Sequence, residues 1–307
     1  HSFFMKYRYP AMLHTMPKNL VIFGGFAIGL ILMVSIYGVL HARRVYVRQD
    51  PVVIEKSSSL PGLKIALIAD LHLGYNSTKS HVRKIVDTIN SQNVDLVCIA
   101  GDLFDNDYNA IKDPDEVADI LSDIKSRYGT YACWGNHDVS EKILAGFTFP
   151  QKETIVRDGR FTEFLHHAGI TMLEDETVCI NNAFYLVGRR DKDMAKKEQL
   201  PRKTFAEITE PLDPSLPIIV MDHQPGELSE ASDAGVDLDL SGHTHDGQMF
   251  PANLVVHFLW ENACGVLKKG AMTSIVTSGA GVWGPAMRVG TNNEVVIANV
   301  SFDPATD

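Results

Sequence analysis

The sequence predicts a mixed α/β domain with one large core, set behind an apolar segment long enough to cross a membrane. Three observations lead there. Short continuous apolar runs recur along the chain, the pattern of strands covered on both faces. Between the first of them, apolar residues fall at helical spacing. Ahead of them all, Leu20 to Leu40 is 21 residues without a charge, enough to span about 30 Å of hydrocarbon at about 1.5 Å per residue.

The N-terminal flank, residues 1–19, carries Lys6, Arg8 and Lys18. The anchor, 20–40, is followed by Arg43, Arg44 and Arg48, with Tyr37 and Tyr46 suited to an interface. Basic residues on both sides leave the orientation across the membrane open. A cleaved signal peptide and a buried core helix are the alternatives. The stretch exceeds the roughly 7–15 residues of a signal-peptide core, and Leu40-His41-Ala42 is a poor cleavage site. The chain starts at His1, which suggests a fragment or a processed start. Residues 41–62 read as a linker, with Asp50-Pro51, Ser57-Ser58-Ser59 and Pro61-Gly62 as its turn signals.

The catalytic domain is expected over 63–307. Leu63 to Ala69 is a buried strand that delivers Asp70, and Val82, Ile85, Val86 and Ile89 form a helical face after it. Leu96 to Ala100 delivers Asp102. Asp113-Pro114-Asp115-Glu116 starts a helix, with Pro in the first turn and acids at its positive end. That helix places Val117, Ile120, Leu121 and Ile124 on one face. Tyr131 to Trp134 is the third strand, before Asn136 and His137. Val178–Ile180 and Phe184–Val187, joined at Asn181-Asn182, read as a hairpin. Ile218 to Met221 leads to His223, Leu238 to Leu240 to the His243 loop, and Val276 and Val295–Val300 complete the strands. The stretch 140–160 matches no core element and reads as a cap loop or a variable surface connection.

The residues that follow the strands carry the chemistry. Asp70-Leu71-His72, Gly101-Asp102, Gly135-Asn136-His137-Asp138, His223 and Gly242-His243-Thr244-His245 place carboxylates, an amide and imidazoles wherever a buried run finishes. Any one alone is a cap, a turn or a surface histidine; five in succession read as a two-metal hydrolase. Two divalent cations about 3.5–4 Å apart polarise a phosphoryl oxygen and convert a water to hydroxide near neutral pH. A carboxylate can bridge such a pair and a neutral imidazole cannot, so Asp102, after a glycine, is the candidate bridge. Mixed carboxylate and imidazole donors suit Mn, Fe, Co or Zn better than Ca or Mg. His243 and His245 would face opposite ways on a strand, and Gly242 and Gly247 favour a loop in which they can share a site.

In this order the motifs resemble the calcineurin-like metallophosphoesterase superfamily, over roughly residues 63 to 300. The resemblance implies a four-layer αββα sandwich with the metals at the strand ends. It implies that Asp70, His72, Asp102 and His245 hold one metal and Asp102, Asn136, His223 and His243 the other. His137 is then a general acid or transition-state stabiliser, with Asp138 orienting it. Gly242–Gln248 and Ser278–Arg288 look like the bacterial membrane-associated branch, except that Asp246 stands where that branch has glycine. That carboxylate either adds charge near the metals or faces solvent.

Composition narrows the partners. At 307 residues with 45% hydrophobic and 21% charged content, the chain is globular in type, and a formal charge of −10 disfavours a nucleic-acid surface. The four cysteines show no close pairing; Cys98 and Cys133 fall in buried strands. Arg189, Arg190 and Arg288 are candidate phosphate contacts or surface residues. The expected activity is hydrolysis of phosphodiester or pyrophosphate bonds by a metal-bound hydroxide at a single-span membrane protein, with a lipid-linked substrate suggested by the anchor. The alternatives are a phosphomonoesterase or protein phosphatase, and a non-enzymatic metal-binding scaffold.

Overall fold

The computed structural model describes residues 18–141, 143–144, 147–148 and 157–303. Helix α1 (Lys18–His41) leads to β1 (Tyr46–Ile54), β2 (Leu63–Ile68), α2 (Lys79–Ser91), β3 (Leu96–Ala100), α3 (Pro114–Ser122) and β4 (Thr130–Cys133). A two-stranded ribbon follows, β5 (Ile143–Leu144) with β6 (Phe147–Thr148), then α4 (Gly159–His167) and β7 (Ile170–Met172). The second half runs β8 (Glu176–Ile180), β9 (Phe184–Gly188), α5 (Lys192–Glu198), α6 (Phe205–Thr209), β10 (Ile218–Met221), α7 (Leu228–Asp233), β11 (Leu238–Ser241), α8 (Ala252–Leu259), β12 (Gly265–Lys269), β13 (Met272–Val276) and β14 (Glu294–Phe302).

The strands form two six-stranded sheets, in the orders β1-β14-β2-β3-β4-β7 and β12-β13-β11-β10-β9-β8. Within them β2, β3, β4 and β7 are mutually parallel, as are β9, β10, β11 and β13. Side chains alternate between faces along each strand, and here both faces are covered. From β2, Leu63, Ile65 and Leu67 enter a core shared with Leu186, Ile219, Leu240 and Ile275 of the other sheet. Ala66 and Ile68 point the other way, into a second core with Val82 and Ile85 of α2, Leu121 of α3 and Phe161 of α4. A third core sets Val187 and Val220 against Phe205 of α6 and Leu228 of α7. Helices, sheet, sheet and helices therefore stack as four layers, which explains why the strands read as unbroken apolar runs.

One expectation changes, and one alternative falls. Residues 46–54, inside the stretch read as a linker, form β1, paired in parallel with β14 over nine residues from Tyr46↔Glu294 to Ile54↔Phe302. Pro51 is tolerated because β1 is an edge strand, where a missing N–H breaks no ladder. Helix α1 exposes Leu20, Phe23, Phe26, Ile31, Leu32 and Leu40, so it is no core helix of this domain. It is long and apolar enough to cross a membrane. Of the stretch 140–160, residues 142, 145–146 and 149–156 lie outside the described residues, as do 1–17 of the N-terminal flank.

Candidate metal centre

Both sheets bring the carboxyl ends of their parallel strands to one edge. Asp70 follows β2 by two residues, Asp102 follows β3 by two, and Asn136 follows β4 by three. His223 and His243 follow β10 and β11 by two each. The chain turns sharply at these points. Asp70, His72, Asp102, His243 and His245 all have left-handed backbones, with φ of +56°, +44°, +50°, +70° and +51°. Each such non-glycine residue costs of order 1–3 kcal/mol, and the surrounding structure must hold it there. Glycines permit the crowding: a Cβ on Gly101, itself at φ +82°, would lie 2.5 Å from His223 Nδ1, and one on Gly242 would lie 2.6 Å from Asp70 Oδ2.

Two groups of donor atoms result. In one, His72 Nε2 lies 3.1 Å from His245 Nε2 and 3.8 Å from Asp102 Oδ2, while His245 Nε2 lies 3.5 Å from Asp70 Oδ1. In the other, His223 Nε2 lies 3.1 Å from Asp102 Oδ2, 3.1 Å from Asn136 Oδ1 and 3.3 Å from His243 Nδ1. His223 Nδ1 donates to Ala100 O at 2.8 Å, which leaves Nε2 as the atom that faces these three acceptors. One proton on Nε2 can serve one of them; a cation serves all. Donors bound to one cation at about 2.1 Å and near right angles stand about 3.0 Å apart, close to the spacings found. All seven expected donor residues are brought together, and they fit a divalent metal site.

The electrostatics divide the donors into two sets. Burial opposes ionisation of Asp102, but His223 and His137 outweigh it and hold the carboxyl well below its ordinary range. Burial pushes the Asp70 carboxyl up to about 6, with the charge of Asp102 adding to it. Burial likewise lowers His137 to about 4 and His243 to about 3, and takes His245 well below its usual value. Of these three, the expected ligands His243 and His245 are therefore in the neutral form that ligates a metal at pH 7; against burial, Asp105 and Asp102 raise His72, and Asp102 raises His223 well above its usual value, so a cation bound there would displace their protons.

The surroundings of the site differ from expectation in three places. Asp138 does not orient His137. Its carboxylate accepts the N–H groups of Phe104 (2.8 Å) and Gly135 (2.7 Å), tying two site loops together. The His137 ring instead faces Asn106, its Nδ1 against Oδ1, and the His137 N–H donates to Asp102 Oδ1 at 2.8 Å. Asn106 and Asp105, the latter 3.6 Å from His72 Nδ1, were not singled out by the motifs. Their signal was proximity alone, four and three residues after Asp102.

The three arginines are engaged elsewhere. Arg189 is buried between Asp222 and Glu227, and Arg190 bonds Glu174 and Pro201 O. Arg288 is fully buried and donates to the carbonyls of His245, Ser278 and Gly281 at 3.2, 2.6 and 2.8 Å. It braces the His245 loop and does not reach out for phosphate. Asp246, the residue at the glycine position, turns at φ +50° and bonds His257 Nε2 of α8 at 3.0 Å.

A model of calcineurin-like phosphoesterases matches residues 63–247. The chain belongs to that family. It is 32% identical over 251 residues to an uncharacterized metallophosphoesterase of Helicobacter pylori, which covers 81% of this chain and 62% of that protein. It is 28% identical to a zebrafish (Danio rerio) transmembrane protein with a metallophosphoesterase domain, over 86% of this chain and 59% of the relative. A UDP-2,3-diacylglucosamine pyrophosphatase of Chlamydia muridarum is 24% identical, over 64% of this chain and 67% of the relative. The chain thus spans about three fifths of the first two relatives.

Proposed function

We propose that this metallophosphoesterase is membrane-anchored, holds two divalent cations drawn from Mn, Fe or Zn, and hydrolyses phosphodiester or pyrophosphate bonds of a lipid-linked substrate. The observation that carries the reading is the pair of donor groups meeting at Asp102. Asp70, His72, Asp102 and His245 would hold one cation, and Asp102, Asn136, His223 and His243 the other. When bound, such a pair polarises the phosphoryl oxygen and lowers the pKa of a water.

The chain's own groups supply the rest. Asp102 neutralises charge for both halves and fixes the His137 loop through its bond to the His137 N–H. Asn106 accepts from His137 Nδ1, leaving Nε2 to pass a proton to the departing oxygen. Because burial leaves His137 neutral at pH 7, the negative phosphate beside it must raise its proton affinity for that step. Support for a lipid-linked substrate comes from a cavity of about 340 Å³. Val39, Ala42 and Arg43 at the end of α1 line one part of it and His72 another; Arg43 and Lys84 give it a positive wall. The named activity of the Chlamydia muridarum relative, on a diacylated sugar nucleotide, fits the same substrate class.

The test uses the full chain in detergent, stripped of metal and then given Mn, Fe, Zn or Mg. Hydrolysis of bis(p-nitrophenyl) phosphate is compared with p-nitrophenyl phosphate, and then with a lipid pyrophosphate in mixed micelles. The expected result is preference for the diester and the lipid, restored by a transition metal and absent in Asp102→Ala. A monoester preference would move the assignment to a phosphomonoesterase or protein phosphatase. A protein that retains little metal and cleaves none of the three would be a scaffold.

A further inference from the structure

Helix α8 leaves no residue buried. Its exposed positions are largely apolar: Leu254 is 53% exposed, Val255 54%, Phe258 90% and Leu259 72%, and Phe250 just before it is 61% exposed. Positions 254, 255, 258 and 259 repeat at helical spacing and form one face. The other side is held to the protein. Trp260 sets its ring edge-on to His243, with centroids 5.3 Å apart, and His257 bonds Asp246. A contiguous apolar patch next to a metal loop is a contact surface awaiting an occupant.

The path from α8 to α1 says which occupant. The Gly38 carbonyl of α1 accepts the Arg288 N–H at 3.0 Å, and Met287 packs against Gly38. The next residue, Val289, accepts the Phe250 N–H at 2.8 Å and pairs with Met249. Helix α8 begins two residues later. Gly38 lies at the level where α1 changes character: Leu40 is its last exposed apolar residue, and exposed Arg43 and Arg44 follow, as at a bilayer boundary. The start of α8 is therefore tied, through two backbone hydrogen bonds and the single step from Arg288 to Val289, to the turn where α1 leaves hydrocarbon. A helix of eight residues is about 12 Å long, and interfacial helices sink about 5–10 Å below the headgroups.

Resting on the membrane reading above, we infer that α8 is a second membrane contact. It lies in the interface of the leaflet from which α1 emerges, with Leu254, Val255, Phe258 and Leu259 among the acyl chains. The His243–His245 loop, joined to α8 by the Asp246–His257 pair and by Trp260, is then held at the lipid surface, where a phosphate attached to a lipid lies.

The test places an environment-sensitive NBD label on the full chain in phosphatidylcholine–phosphatidylglycerol vesicles, in a Cys179→Ser, Cys264→Ser background. Labels go at Phe258→Cys, at Leu254→Cys as a second α8 position, at Ile28→Cys within α1, and at exposed Ser122→Cys. Doxyl lipids spin-labelled near the headgroup should quench both α8 labels at least about twofold, lipids spin-labelled deep in the acyl chain should quench Ile28, and both should leave Ser122 unaffected. Quenching at Ile28 without quenching at either α8 position overturns the inference and leaves the anchor standing. No quenching at Ile28 overturns both. An α8 signal that disappears when protein is diluted in excess lipid assigns the face to a second copy of the chain and also overturns it.

Discussion

Replacing Arg288 by methionine separates the brace of the metal centre from the centre itself. Methionine keeps the length and apolar bulk of the side chain but removes every donor, leaving the buried carbonyls of Ser278 and Gly281 unpaired and that of His245 with the Gln248 N–H alone. Each unpaired carbonyl costs about 1–3 kcal/mol, or about 4 kcal/mol for the two at the middle of that range. Against this, burial already holds the guanidinium down at about 10, well below its ordinary range, and deleting that buried charge returns about 3 kcal/mol. The net loss is about 1 kcal/mol, which for a domain of this size lowers Tm by about 2–4 °C. The carbonyl of His245 loses one of its two donors, and its backbone is strained at φ +51°, so the half-site of Asp70, His72 and His245 should loosen while that of Asn136, His223 and His243 stays. Thermal melts followed by elemental analysis of the purified variant should show the lower Tm and metal falling from two ions toward one. An unchanged Tm with both ions retained, or loss of both ions together, would refute the role given to Arg288.

Asp239 lies buried in β11, bonded to the hydroxyls of Ser241 and Ser274, and burial pushes its carboxyl up to about 7. An acid whose folded pKa exceeds its unfolded value makes the fold lose stability as pH rises between the two, here from about 4 to about 7, by up to about 4 kcal/mol. Asp239→Asn should thus melt higher than the wild type at pH 8 and equally at pH 4; a gain of the same size at both would remove the electrostatic cause. His137→Ala should lower kcat by about 10²–10⁴ while keeping its metal, and Asn106→Ala should give a smaller loss with an altered pH profile. Metal loss in either variant would place that residue among the ligands.

Much of the site was legible because its chemistry is local. Asp70, Asp102 and Asn136 directly follow buried strands, and an unbroken apolar run announces a strand with both faces covered. What the motifs could not carry were contacts made across the fold. Asn106 meets His137 only because β3 and β4 are neighbours, and nothing in its own sequence context sets it apart from a turn asparagine. Arg288 reads as a phosphate ligand from its type; that it turns inward depends on three carbonyls contributed by two loops. The β1 strand was hidden by Pro51 and by the half-exposed alternation of Tyr46–Ile54, both of which an edge strand accepts and a central one would not. The role of Asp246 needed α8, an apolar run after Pro251 that none of the metal-ligand motifs includes.

Between the end of α1 and the start of β1 there are only residues 42–45, and they are pinned. His41 bonds Thr291 O and Asn292, Asn293 holds Ala42 O, and Lys84 reaches Arg43 O. A flexible tether would let the catalytic domain sweep a hemisphere above its attachment point, sampling solutes and lipids alike. A pinned junction removes that volume. In the proposed placement, the centre stands at one fixed altitude and meets its substrates by sliding and spinning in a plane, so its encounter rate is set by surface density and not by bulk concentration. For such a machine a dilute compound confined to the same leaflet outcompetes an abundant one in solution, and selectivity begins with geography before any side chain is touched.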